Sequence, residues 1–301
     1  MWFKNLQLYR LPSPWNIDLE KLESGLAKRP FQRCGSQDMA SRGFVSPNGT
    51  DVLVFSSNQQ WLIALRSEQR LLPSSVVKEV AQDRAEEIEA QQGYKPGRKQ
   101  MKEIKETVTQ ELLPRAFTRS TITRCWIDPA GGWLVVDASS AAKADEVLET
   151  LRDVVDELPL RLLDTERSPV SSMTDWLAGG AAPENFTIDK DCELRAVTDE
   201  KAAVRYMRHA LEGKEIPEHL AAGKVPTRLA LTFDDRLSFV LTEKSEVRRV
   251  EFLDLVQEAS ESAGAANSEE QFEADFVLMT SELGRFIPML VGALGGERVG
   301  A

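Results

Sequence analysis

Residues 111–126 read Glu-Leu-Leu-Pro-Arg-Ala-Phe-Thr-Arg-Ser-Thr-Ile-Thr-Arg-Cys-Trp, and the chain changes its period inside them. Upstream, Met101, Ile104, Val108 and Leu112 recur at intervals of three and four, an apolar stripe along one side of a helix over 99–113. Pro114 ends that helix, because it has no amide hydrogen to donate and its ring crowds the preceding turn. Downstream, TITRCWI (121–127) reads as a strand, followed by a turn at Pro129-Ala-Gly-Gly and a second strand, WLVVD (133–137). A further helical pattern at 76–92 is cut off by Gly93, Pro96 and Gly97. The two helices form a hairpin inserted between strands.

The same stretch is unusual in charge. The chain has 48 acidic and 37 basic residues, a formal net charge of -11, yet Leu112–Ile127 holds three arginines and no carboxylate. Between Glu251 and Asp275 lie eight acids and no lysine or arginine, so that segment alone carries -8 and the remainder is near neutral.

Outward from the hairpin, WFKNLQLY (2–9) alternates like a half-buried strand, and Asp18 caps a helix to about Lys28 with Leu19, Leu22 and Leu26 on one face. The turn-rich stretch 34–51 leads to strands at 52–55 and 61–66, joined by the loop SSNQQ. After the hairpin come a helix at 141–157, with Val147, Leu148, Leu151, Val154 and Val155 inward, and a short strand at 160–163. Residues 164–183, rich in Ser, Pro, Gly and Ala around a short helix at Thr174–Leu177, mark a domain boundary. The second half carries strands at 185–197, 228–233, 236–242 and 247–250, an Asp234-Asp235 turn, an acidic helix and a closing helix over 270–294 interrupted near Pro288.

These elements predict an α+β protein, an elongated multi-lobed subunit with mixed or antiparallel sheets. Residues 1–75 with 114–170 form a central domain, 76–113 a projecting finger, and 171–301 a second α+β domain ending in the long helix. Length suits such a division, and 42% hydrophobic with 28% charged residues is ordinary for a globular chain. No apolar run approaches the roughly 20 residues that span a bilayer, and the opening MWFKNLQLYR lacks a signal-peptide core, so a cytosolic location is expected. Cys34, Cys125 and Cys192 lie far apart without CxxC spacing, which favours reduced, structural thiols.

Catalytic signatures are sparse. GxGxxG, GxxxxGK[ST], HExxH and GxSxG are absent, and His209 and His219 have no cysteine or aspartate at ligand spacing, so no metal is expected. A magnesium-dependent nuclease could draw on Asp234, Asp235, Glu243 or the acids of 251–275. Against that, a hairpin turn favours Asp for backbone reasons, and an acidic helix is ordinarily a solvated face. The chain is not expected to be an enzyme.

Basic groups remain. Lys95, Arg98, Lys99, Lys102 and Lys105 share one side of the second finger helix with Glu103 the only acid among them, and the helix N-terminus adds to their pull on phosphate. A plain solvated face is the bland alternative. Arg115 and Arg119 flank Phe117, with Arg124 further on; for Phe117, burial in a core ranks ahead of an interface plug or a base-stacking surface. Arg205 and Arg208 flank Tyr206 and Met207, with His209 next, and Lys224 and Arg228 have no acid between them. None of these matches a sequence-reading DNA motif.

The stretches WFKNLQLYRL, CGSQDMASRGFVSP, LLPRAFTRS, AGKVPTRLAL and FEADFVLMTSELGRFIPMLVGALGGE, in that order from end to end, together resemble the RdgC family of bacterial recombination-associated proteins. That resemblance implies a non-catalytic protein without cofactors, found in the cytoplasm on the nucleoid and not at a membrane. It implies a ring-shaped homodimer that binds single- and double-stranded DNA with little sequence preference and restrains RecA-driven strand exchange. DNA contacts would come from Lys95, Arg98, Lys99, Lys102, Lys105, Arg115, Arg119, Arg124, Arg205, Lys224 and Arg228. One dimer contact would be made by Phe117 inserting into the other subunit, and the opposite one by Arg208 and His209, where the family carries Lys-Gln. Acids at 251–275 would face away from DNA. A magnesium-dependent nuclease, or a protein-interaction module acting on RecA or replication factors, stands as the alternative.

Overall fold

In the computed structural model, which describes residues 1–12, 15, 17–198, 202–262 and 264–298, the strands join into one open sheet. Its path runs β2 (Ala40–Val45), β4 (Gln60–Arg70), β5 (Thr118–Asp128), β6 (Trp133–Asp137), β1 (Asn5–Arg10), β12 (Val247–Phe252), β11 (Leu237–Thr242), β10 (Lys224–Phe233), β8 (Phe186–Ala196) and β9 (Ala203–Tyr206). Off that path, β3 (Val54–Ser57) pairs with β4 and β7 (Arg161–Leu162) pairs with β1. The ladders between named strands are antiparallel. The expected α+β class holds. The strands of the two halves, however, share a single sheet, because β1 pairs with β6 on one side and with β12 on the other, through Asn5↔Arg248 and Leu6↔Val247.

Two cores follow from strand alternation. Side chains of neighbouring residues point to opposite faces. Ile63, Leu65, Cys125, Ile127, Leu134 and Val136 meet Leu22 and Leu26 of α1 (Leu19–Leu26) and Val147, Leu148 and Leu151 of α4 (Ala141–Arg152). Their strand neighbours Leu62, Trp126 and Val135 belong to the other core, with Leu229, Leu231, Leu237, Leu241 and Val247. That core is roofed by α5 (Pro169–Gly179), α6 (Glu215–Ala221), α7 (Asp254–Glu261) and α8 (Ser268–Ala293), through Met173, Ile216, Val256, Phe276 and Phe286 among others. The helices thus cover opposite faces in the two halves. Each half keeps part of its other face open to solvent.

The finger is α2 (Ser74–Gln92) and α3 (Arg98–Leu112), between β4 and β5. Its own small core joins Ala81 and Ala85 to Ile104 and Val108, with Met101 and Leu112 packed alongside, which is the predicted stripe. Arg84 and Glu111 bridge the two helices at 2.9 Å. Gly93, with φ of 82°, supplies the left-handed residue that ends α2.

Four expectations need correction. β2 lies inside the stretch read as turns; Phe31 donates to Phe44 at 3.0 Å alongside it, and a Cβ on Gly43 would come within 2.5 Å of Phe31 backbone. α4 stops at Arg152 rather than 157, although Val154 and Val155 still pack inward from the following turn. The helix placed at Thr174–Leu177 runs from Pro169 to Gly179, because the Ser, Pro and Gly that resemble a linker are its ends: Ser168 caps it and Gly180, φ 63°, terminates it. Finally, α8 continues through Pro288. The lost hydrogen bond is offset by burial of Phe286, Ile287, Leu290 and Val291 around the proline.

By length and composition alone α8 could cross a membrane, but half of its apolar stretch is buried inside the molecule. It is a core helix.

Candidate nucleic-acid interface

The predicted cations fall into three places. On the finger, Lys95, Arg98, Lys99, Lys102 and Lys105 are all exposed. Arg98, Lys102 and Lys105 stand at i, i+4 and i+7 and so line up along α3. Lys102 reaches Glu106 at 3.7 Å, a loose surface pair that leaves it free to exchange partners.

At the finger's base, the helix passes through a short 3-10 turn, Leu113–Arg115, into β5. Arg115 and Arg119 are exposed. Arg119 opposes Gln69 and Arg124 opposes Ala64 in an unbroken β4–β5 register. Five residues apart in one strand, the two arginines point to opposite faces of the sheet, so this carboxylate-free segment does not present its charges on one surface. Arg124 is half-buried beside Asp137, whose carboxyl burial pushes upward while amides of Asn5 and Lys4, and Arg124 itself, pull it back. On the face of Arg124 the register adds Arg66, opposite Ile122, and Arg70, opposite Thr118. Arg66 donates to Ser120 at 2.7 Å and stacks 4.8 Å above the Phe31 ring.

Phe117 is 83% exposed, which overturns the core reading ranked first for it. Its backbone is held firmly: its carbonyl accepts from Leu71 at 2.7 Å, and the Arg70 guanidinium donates to the Ala116 carbonyl at 3.0 Å and the Gly35 carbonyl at 2.9 Å. The ring therefore projects from a fixed base. Leu71, just past the end of β4, and Met39, just before the start of β2, are 50% and 48% exposed.

The third place is the open face of the C-terminal half. Arg228 opposes Glu193, and Glu193 opposes Arg205. Glu193 is buried, with 4% of its side chain exposed, while its partners Arg195 and Arg205 keep 40% and 60%. Burial opposes ionisation of Glu193, but hydrogen bonds from Arg205 and Thr227, with Arg228 close by, outweigh it and hold the carboxyl below the usual range. Arg248, which opposes Val240, joins this face and pairs with Glu246 at 2.7 Å. Lys224 sits apart, half-buried, 3.2 Å from His219 Nδ1. Arg208 (φ 52°) and His209 are exposed in the turn after β9, where the Arg208 amide donates to Asp191 at 2.8 Å and the His209 ring lies 5.4 Å from Tyr206.

Sequence reading missed Arg195, Arg248 and Arg249. The adjacent arginines of VRRVEF were the available signal, but only the register of four strands places them with Arg205 and Arg228.

Most of the acids of 251–275 occupy other ground, Glu251 on β12 excepted. Glu251, Asp254, Glu258, Glu261, Glu269, Glu270 and Glu273 are exposed, most of them on α7 and α8 over the helix-covered face. Asp275 departs from the solvated-face expectation: it is buried, paired with the Met1 amino group, and bonded to Ser260 and Gln271. Asp234 and Asp235, φ 50° and 53°, form the turn between β10 and β11, and Asp234 is held by Arg285 at 2.7 Å. Among the described residues no three of His, Cys, Asp and Glu gather as metal ligands would.

The family model described as "Putative exonuclease, RdgC" matches residues 1–297. A protein of Dechloromonas aromatica (strain RCB) named recombination-associated protein RdgC is 60% identical over the full length of both chains. Proteins of the same name from Janthinobacterium sp. (strain Marseille) and Herminiimonas arsenicoxydans are 54% and 53% identical, each alignment covering 99% of both chains. With matches of that extent, the chain belongs to the RdgC family of recombination-associated proteins.

Proposed function

We propose that this protein binds single- and double-stranded DNA without sequence preference or catalysis, and that it does so as a homodimeric ring which restrains RecA-driven strand exchange on the nucleoid. The observation that carries the reading is the separation of charge. Exposed ammonium and guanidinium groups gather from Lys95 to Lys105 on the finger and around Arg205 and Arg249 on the open sheet face, while six exposed carboxylates lie on α7 and α8 and four of the finger's own, Glu79, Asp83, Glu86 and Glu87, lie on α2. A net charge of -11 is compatible with DNA binding when local potential is positive where phosphates approach.

Phosphate contacts fix position but carry no sequence information. A surface of lysines and arginines, without a recognition helix, suits a partner read by its backbone alone. Phe117, projecting from a rigid base, and the exposed Arg208–His209 turn supply the two dimer contacts of the ring. DNA so occupied is closed to a recombinase filament, which accounts for a recombination-associated role without direct contact to RecA.

Equilibrium binding to DNA alone, over a salt series and with or without magnesium, tests this reading. Binding that weakens linearly in log–log form, equally for unrelated sequences and with the DNA left intact, supports it. Degradation of the DNA in magnesium would establish the nuclease alternative. Absence of binding would establish the protein-interaction alternative.

A further inference from the structure

On the open face of the C-terminal half, a cavity of about 220 Å³ lies among β8, β9, β10, β11 and β12, with Arg205, Arg228, Arg248 and Arg249 and one carboxylate, Asp191, on its walls and Glu193 beneath. The donors here are incompletely used. Arg228 is half-buried, and among the described residues its guanidinium meets no hydrogen-bond acceptor, although Glu193 is near enough to feel its charge. Arg248 bonds Glu246 through one terminal nitrogen, but its Nε is buried without a partner. A buried donor that faces no acceptor, as the Arg248 Nε does, costs free energy, so native structures rarely leave one so, whereas the half-buried Arg228 guanidinium keeps access to solvent.

A second observation concerns the backbone. The β11–β12 register slips between Ser238 and Val240, and Arg249, at that bulge, takes φ of 51°. A non-glycine residue in that region is strained, and such strain collects where a side chain must be aimed. The slip sets Arg249 at the rim with 72% of its side chain exposed and Asp191 no nearer than 3.9 Å. Glu193 meanwhile accepts hydrogen bonds from Arg205, Arg195 and Thr227 and none from Arg228 or Arg248, whose donors stay unspent.

We infer that this cavity is an oxyanion subsite that seats one phosphodiester of a nucleic-acid backbone between Arg228 and Arg248, with Arg249 closing over it. The inference rests on the DNA-binding reading above and adds to it a discrete docking point. The cavity is far too small for a duplex, so a single linkage enters while the rest of the strand passes over the sheet. Planar guanidinium forks match a phosphate's oxygens in pairs, and an ammonium does not.

The test measures full-length protein on a short duplex of arbitrary sequence over a salt series, for wild type, Arg228→Gln and Arg228→Lys. One lost phosphate contact lowers the log K against log salt slope by about 0.9. Arg228→Gln is expected to show that loss on every sequence, and Arg228→Lys to restore the slope but not the full affinity. Should Arg228→Gln melt early, Arg249→Gln at the exposed rim serves for the same comparison. Equal slopes for wild type and the glutamine variant overturn the subsite and leave DNA binding standing. A wild type that binds no DNA overturns both; inorganic phosphate that then raises the melting temperature of wild type alone would reassign the cavity to a free oxyanion.

Discussion

Arg205 of β9 and Glu193 of β8 face each other across the ladder, joined by a hydrogen bond from Nε to Oε2 of 3.0 Å. The carboxylate is buried and the guanidinium is not. The acid thus works from beneath, orienting arginines whose outer donors stay in solvent.

Glu193→Gln tests that arrangement. Removing the charge leaves Arg195 and Arg205 without their shared anchor and is expected to destabilise the fold by about 2 kcal/mol, the range for hydrogen bonds to charged groups. Because the folded carboxyl lies below its ordinary value, its contribution is complete above about pH 4.3 and is lost as pH falls through the lower, folded value. Chemical denaturation between neutral and acid pH checks this: the variant should show a shallower acid loss than wild type.

On the finger, Lys99→Glu combined with Lys102→Glu should weaken DNA binding alike for unrelated sequences. Two lost phosphate contacts lower the salt slope by about 2. Circular dichroism should remain that of wild type, because both side chains are exposed and lie off the Met101–Leu112 stripe. Wild-type affinity in this variant would remove the finger from the DNA path.

Phe117→Ala separates interface from core. With 83% of the residue exposed, its removal should leave the monomer's unfolding free energy within about 0.5 kcal/mol of wild type. If the ring seats against a second copy, self-association weakens by about 2 kcal/mol, as at an interface hot spot. Sedimentation velocity over a dilution series reads the difference.

Arg236 grips Glu282 of α8 with two hydrogen bonds, 2.9 and 2.6 Å, tying the β10–β11 turn to the long helix. Glu282 is buried, so Glu282→Gln strands a guanidinium that was paired, a change worth about 3 kcal/mol. Thermal unfolding should show a lower midpoint, with DNA affinity of the folded fraction unaltered.

The finger was legible because its signals are local: Met101, Ile104, Val108 and Leu112 keep helical spacing, and Gly93 and Pro114 end the helices at the predicted places. The Asp234-Asp235 turn was legible for the same reason. What could not be read is pairing at long range. No pattern within WFKNLQLY announces that Asn5 will meet Arg248, and so the union of both halves in one sheet stayed hidden. The short strand ASRGFV has weak alternation and depends on a glycine that lets the Phe31 backbone approach. Likewise, Pro288 looks like a helix break until the apolar residues around it are seen to be buried.

The same limit governs the candidate interface. Lysines along one helix declare themselves in sequence, whereas Arg195, Arg205, Arg228 and Arg248 come from four strands and are neighbours only through register. Period two also parts Arg119 from Arg124, which a count of charges along the chain had grouped together.

Hydrogen–deuterium exchange of the full chain with and without a saturating duplex reads the geography of binding in one measurement. Slower exchange at residues 95–105 and in β10 and β12 around Arg228 and Arg248, with α7 and the first turns of α8 unaltered, is the predicted pattern. Protection centred on the carboxylates of 254–273, or none on the finger and the open face, would contradict it.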